Sequence, residues 1–196
     1  KAYDGAALTA PSTAEEAVSG LQNGEAVAFK VTGSQTEVGR STNTYEIDWD
    51  AEETTAKKSN YTVTENLGTL EVTKGDAADY DADVTISGWT YNGQFDPQGT
   101  LSSEAESEAD GATVSYKYYG KDAETGEYTV ELGAEPVDAG DYRVVATWTE
   151  TDNYPPLSDY CDFTVAPATL TVTTKSDSKA YDGAALTAPS TAEEAV

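Results

Sequence analysis

The chain has 196 residues, room for two domains of ordinary size with small cores. Its 11 Lys and Arg stand against 36 Asp and Glu, a formal net charge of -25 that repels phosphate backbones and anionic lipid and excludes nucleic acid as a partner. With no His, no Met and one cysteine, it lacks the usual residues of imidazole chemistry, catalytic triads and zinc sites, and it cannot close an internal disulfide.

Taken in chain order, the only helix candidate is residues 14–18, too short to nucleate alone. Elsewhere apolar residues recur at period two, the signature of half-buried strands: Val27, Phe29, Val31; Tyr45, Ile47, Trp49; Leu70, Val72. The second half repeats the habit with Val84, Ile86; Val114, Tyr116, Tyr118; Tyr128, Val130, Leu132; Tyr142, Val144, Ala146, Trp148; and Cys161, Phe163, Val165. Cys161 shares a strand face with Phe163 and Val165 and is expected to be an inert core thiol. Turn pairs Asn23-Gly24, Asn92-Gly93 and Asp110-Gly111 separate several of these runs. Short alternating strands of this kind predict an all-β fold of tandem immunoglobulin-like antiparallel β-sandwich domains arranged end to end, with strands of about ten residues.

Two periods organise the chain. Residues 1–18 read KAYDGAALTAPSTAEEAV and residues 179–196 read the same, an offset of 178 residues that points to recent tandem duplication. Within that unit Tyr3-Asp4-Gly5, Tyr91-Asn92-Gly93 and Tyr181-Asp182-Gly183 recur, and Gly39 followed by Asn60-Tyr61 is answered by Gly140 followed by Asn153-Tyr154. The predicted domains are therefore 1–76, lacking its first strand, 77–167, and 168–196 as the start of the next repeat. The chain reads as a window on a longer protein, with targeting and anchoring segments expected outside it. No apolar run approaches the ~20 residues of a membrane helix, so no membrane insertion is expected of this segment.

The motifs carry a resemblance. Lys-x-Tyr-Asp-Gly near a domain start, residues 60–70 reading NYTVTENLGTL, residues 137–142 reading VDAGDY, Asp152-Asn153-Tyr154, and residues 163–170 reading FTVAPATL together resemble the YDG and MBG families of bacterial immunoglobulin-like repeats. The resemblance covers essentially the whole chain. It implies a secreted, extracellular, cell-wall-attached bacterial surface protein, often an adhesin, in which such repeats form the stalk. It transfers no binding site, and Tyr3, Asp4 and Gly5 are expected to shape a turn, since Asp-Gly suits positive backbone angles.

Sharper readings can be set beside the stalk. Asp79, Asp81 and Asp83 alternate in the link between the domains, with Asp76 and Asp138 as helpers, and carboxylates there suit a calcium ion that stiffens the array; the alternative is a solvated acidic linker. An EF-hand is excluded by Val84 and Thr90 at the positions needing Gly and Glu. Lys1 or Lys179 with Asn60 or Asn66 is the set available for an isopeptide crosslink. Trp89, Tyr116, Tyr118, Tyr119 and Trp148 are candidates for a glycan-stacking platform, though alternation places most of them in the core. No pair of carboxylates is marked as converging in a cleft, so no catalytic residue is assigned and the protein is not read as an enzyme. The expected partners are neighbouring repeats of the same protein, with a host-surface or glycan ligand as the alternative. A further alternative is a head-to-tail fibre in which residues 169–174 of one chain complete the first domain of the next.

Overall fold

Where apolar alternation is sustained, the computed structural model, which describes residues 1–187, places strands. The first half opens with a single helical turn, Ala14–Ala17, held by a capping box in which the Glu16 N–H donates to Thr13 Oγ1 (3.3 Å) and the Thr13 N–H donates to Glu16 Oε2 (2.9 Å). Four short strands follow: β1 (Ala28–Val31), β2 (Gly39–Thr42), β3 (Tyr45–Asp48) and β4 (Thr69–Val72). β1 pairs antiparallel with β3, setting Phe29 opposite Ile47 and Val31 opposite Tyr45, and β2 pairs antiparallel with β4, setting Gly39 opposite Val72 and Ser41 opposite Leu70.

The second half carries β5 (Ala82–Thr85), β6 (Trp89–Thr90), β7 (Ser102–Ala105), β8 (Val114–Gly120), β9 (Val130–Leu132), β10 (Gly140–Trp148) and β11 (Leu157–Ala166). Five of these make one sheet in the order β6-β11-β10-β8-β9, while β5 and β7 form a second layer that packs on β10 and β11. Between the layers lie Val84, Ile86, Trp89, Tyr118, Val144, Ala146, Trp148, Leu157, Phe163 and Val165, all buried. Trp148 is completely enclosed, and its indole N–H is satisfied by Glu108 Oε1 at 2.6 Å, which lets so large a polar-tipped ring sit at the centre. Cys161 is a free, partly buried thiol packed against this core.

The protein is thus all-β and multi-sheeted, with sandwich packing. Among the described residues every strand pair and isolated bridge falls within residues 2–73 or within residues 82–166. Among the described residues the expected strands of about ten residues are found only in β10 and β11, which have 9 and 10; the other strands have 2 to 7. β2 and β7 carry Gly, Arg, Ser, Thr and Glu on faces that never bury deeply, so no apolar alternation announces them.

The two halves share one plan. Gly140 lies opposite Val165 and Tyr142 opposite Phe163, the same register as Gly39 with Val72 and Ser41 with Leu70. The Tyr3 N–H donates to the Thr73 carbonyl at 2.8 Å, as the Tyr91 N–H donates to the Ala166 carbonyl at 2.8 Å, so both tyrosines sit beside the last strand of their half in a short parallel pairing. One layer differs. Among the described residues no strand pair in the first half corresponds to β5-β7, and Phe29, Val31, Tyr45 and Ile47 line a cavity of about 440 Å³ that is bounded also by Glu16 and Val18 at the helical turn and by Leu67.

That contrast predicts unequal sensitivity to truncation. Leu157→Ala, at a site 1 % exposed, is expected to lower unfolding free energy by about 2–5 kcal/mol, and Leu67→Ala, at a site 39 % exposed, by less than about 0.5 kcal/mol, in denaturant titrations of the whole chain.

Candidate functional site at the junction of the halves

The recurrent Tyr-Asp-Gly motif is a local turn. The Asp4 carboxylate accepts the Ala6 N–H (2.9 Å) and pairs with the Lys1 ammonium, while Gly5 takes φ 71°. The second copy does the same in a different setting: Asp182 accepts the Ala184 N–H (3.0 Å), pairs with Lys179 (2.9 Å), and Gly183 takes φ 74°. In Tyr91-Asn92-Gly93 the Asn92 amide oxygen accepts the Gln94 N–H (3.1 Å) with Gly93 at φ 79°. A short side chain bonding the backbone two residues on, followed by a left-handed glycine, needs no partner outside the motif. Lys1 Nζ, engaged by Asp4 and by the Ala6 carbonyl at 2.6 Å, is held in this turn and not beside Asn60 or Asn66.

What the turn does is aim the tyrosine that precedes it. Tyr3 meets the Tyr154 ring edge-on at 5.3 Å between centroids, and Tyr80, from the link between the halves, meets the same ring at 4.9 Å. The Tyr80 hydroxyl donates to the Tyr3 carbonyl (3.0 Å) and accepts the Gly75 N–H (3.0 Å), tying the link to the first half while its ring rests against Tyr154 of the second. Burial raises the Tyr3 and Tyr154 hydroxyls above the ordinary phenol range, with nearby carboxylates adding to it.

Beside this cluster Asn153, a buried amide, works as a two-sided plug. Its Oδ1 accepts the Val38 N–H at 2.9 Å, and its Nδ2 donates to the Glu37 carboxylate and to Asp110 Oδ1 (3.3 Å). Lys74 completes the contact, donating to Glu150 and to the Thr151 carbonyl (2.6 Å). The Asp110 carboxyl is held below its ordinary value, first by the Thr151 side chain and, against the opposing effect of burial, by the backbone and side chain of Asn153. Motif residues from both halves thus converge: Tyr3 and Glu37-Val38 from one, Asn153-Tyr154 from the other. The motifs are visible in the sequence but their meeting is not, because Glu37 and Asn153 are 116 positions apart.

The other candidates are dispersed. Asp79 accepts the Asp76 N–H (3.0 Å) in a one-turn 3-10 helix, the Asp81 carbonyl accepts the Glu106 N–H (3.1 Å), and Asp83 lies exposed on β5 opposite Glu104. Among the described residues no three His, Cys, Asp or Glu side chains are grouped to hold a metal ion. Of the candidates for an aromatic platform, Trp89, Tyr118 and Trp148 are core, as their alternation suggests, and the Tyr116 hydroxyl is turned to Ser103 at 2.6 Å. A different aromatic group does reach solvent. Arg143, clamped by Asp162 at 2.6 and 2.9 Å, lies over Tyr160 (3.9 Å) and Tyr128 (4.7 Å) on the outer sheet face. Among the described residues no helix is long and apolar enough to cross a membrane.

Comparison with protein-family models, with curated proteins and with solved structures finds no match to this chain.

Asn153→Ala leaves the Glu37 and Asp110 carboxylates without its amide and the Val38 N–H without its acceptor. It is expected to destabilise the junction by about 1–3 kcal/mol, read as faster exchange of the Val38 amide hydrogen. Acid acts on the same contact. Because the folded Asp110 carboxyl is the stronger acid, its contribution is present above the unfolded value of about 3.9 and is lost as pH falls through the lower folded value. The Asp110 side-chain carboxyl carbon resonance is expected to titrate with a midpoint below about 3.9, and a midpoint at or above that value contradicts the assignment.

Proposed function

We propose that this chain is a stalk segment of a secreted bacterial surface adhesin: two immunoglobulin-like sandwich units in series, repeated in the parent molecule and projecting a distal binding region from the cell wall. The observation that carries the reading is the junction. Its parts, the aimed tyrosine, the residues before Gly39 and the Asn-Tyr pair, are the very residues that recur with the internal period, so the contact that orders these two halves is available at every boundary of an array. An identical 18-residue segment 178 positions on supports tandem continuation. A net charge of -25 supports solubility and mutual repulsion of neighbouring stalks.

On this reading the protein has a mechanical task and no catalytic step, and its principal partners are neighbouring repeats. β11, with 10 residues at ~3.3 Å each, makes a unit roughly 33 Å long, so one 178-residue repeat adds on the order of 60–70 Å to the reach. Calcium at the link is a separate part of the proposal, testable as a calcium-dependent rise in melting temperature.

A second reading, binding of a host glycan or protein by the units themselves, is favoured by the Tyr128-Arg143-Tyr160 group, where Tyr160 is 56 % exposed. Loss of glycan-array signal in Arg143→Ala would support it.

The stalk is tested by solution scattering on chains of one, two and three repeats. The maximum dimension is expected to rise by a constant increment per repeat, whereas growth as the square root of repeat number contradicts a stiff projection.

A further inference from the structure

The chain holds 13 tyrosines, no methionine and one cysteine. Cys161 is partly buried, with its thiol turned to the Ile86 carbonyl at 3.9 Å, so the sulfur side chains that oxidants ordinarily attack are absent or shielded. With a single cysteine, no internal disulfide ties one half to the other.

Among the described residues two ring contacts join tyrosine to tyrosine, and Tyr154 is common to both: it meets Tyr3 at 5.3 Å and Tyr80 at 4.9 Å between centroids, each edge to face. Every other ring contact includes a phenylalanine, which has no phenol to oxidise. The two partners of Tyr154 differ in chemistry. The Tyr80 hydroxyl is engaged twice, donating to the Tyr3 carbonyl and accepting the Gly75 N–H, and a carbonyl is a poor base for its proton. Tyr3 and Tyr154 instead lie in the field of carboxylates, Tyr3 near Glu37 and Asp110, Tyr154 near Glu106 and Asp110. Negative charge at this range eases the loss of an electron from a ring, and a carboxylate accepts the proton that leaves with it. Both rings are partly exposed and open to an oxidant.

We propose that Tyr3 and Tyr154 form a site of oxidative coupling, closed by a haem peroxidase with hydrogen peroxide into a dityrosine bridge across the junction. Each phenol yields one electron and its hydroxyl proton. The two ring radicals then join through a carbon–carbon bond between positions ortho to the hydroxyls, and the hydrogens displaced from those carbons return to the phenolic oxygens. The protein loses two hydrogen atoms, and one peroxide is reduced to two waters. Because the rings are already in contact, the pair couples within one chain before tyrosines of separate chains meet. The bridge itself needs only the junction; its use, a covalent staple that fixes successive units, rests on the stalk reading.

Treatment of the dilute full chain with a haem peroxidase and limiting hydrogen peroxide tests this. The expected product is a monomer two hydrogens lighter, with the blue emission of dityrosine, whose proteolytic digest contains one fragment joining the Tyr3 and Tyr154 peptides. Y154F keeps the ring and removes the phenol; it is expected to lose the monomer's emission while its Val38 amide exchanges as in the parent. Y160F, which alters an exposed tyrosine stacked on Arg143, is expected to keep the emission in full. A monomer without the bridge overturns the proposal, as does a bridge mapped to any other pair, Tyr80 with Tyr154 included, or monomer emission that survives in Y154F. The mapped fragment of the parent chain decides the matter if a variant disturbs the junction. If scattering shows a constant increment per repeat and no bridge forms, this inference alone fails; if the bridge forms and the increment is not constant, the stalk reading alone fails.

Discussion

An apolar sheet face is stable in water only when a second layer covers it, and this requirement decides most of what distinguishes the two halves. In the second half β5 and β7 supply the layer, and Trp148, Val144 and Ala146 disappear from solvent beneath it. In the first half the same register is laid down by β2 with β4 and β1 with β3, but the face stays open and only Val27, Ala56, Leu70 and Val72 are buried apolar residues. The backbone differs too: residues 64–68, which correspond to the first part of β11, form no regular strand.

The junction obeys a different logic. It is small, aromatic and polar, resting on three rings, one amide and a lysine, with no broad apolar face. Rings have few rotamers to lose, and Asn153 satisfies donors and acceptors on both sides of the boundary, so a contact of limited area gains direction. The Asx turns at Asp4 and Asn92 serve this by fixing where each preceding tyrosine points. In the stalk proposed above, a fixed orientation between successive units is what a projecting rod would require.

Much of this was legible in the sequence. Period-two alternation located β1, β3, β4 and most strands of the second half, and the Asp-Gly and Asn-Gly pairs marked turns that adopt positive φ at Gly5, Gly24, Gly93 and Gly111. β2 and β7 were not legible, since β2 is polar on both faces and β7 offers only Ala105 to the core, so their pairing is imposed by neighbours. The motifs of the junction stood in plain view at Tyr3 and at Asn153-Tyr154, but nothing local says that they touch across the chain. Alternation placed most of the aromatic residues in the core, where Trp89, Tyr118 and Trp148 are found, whereas the Tyr128-Arg143-Tyr160 group depends on a β10-β11 register that a sequence does not display.

The central claim is that the two halves hold one fixed orientation through the Tyr3-Tyr80-Tyr154 cluster and Asn153. Residual dipolar couplings measured on backbone amides of residues 28–72 and 82–166 test it most directly. The account predicts that both sets fit a single alignment tensor, with the junction geometry described above. Two tensors of different magnitude would show the halves reorienting independently and would contradict it.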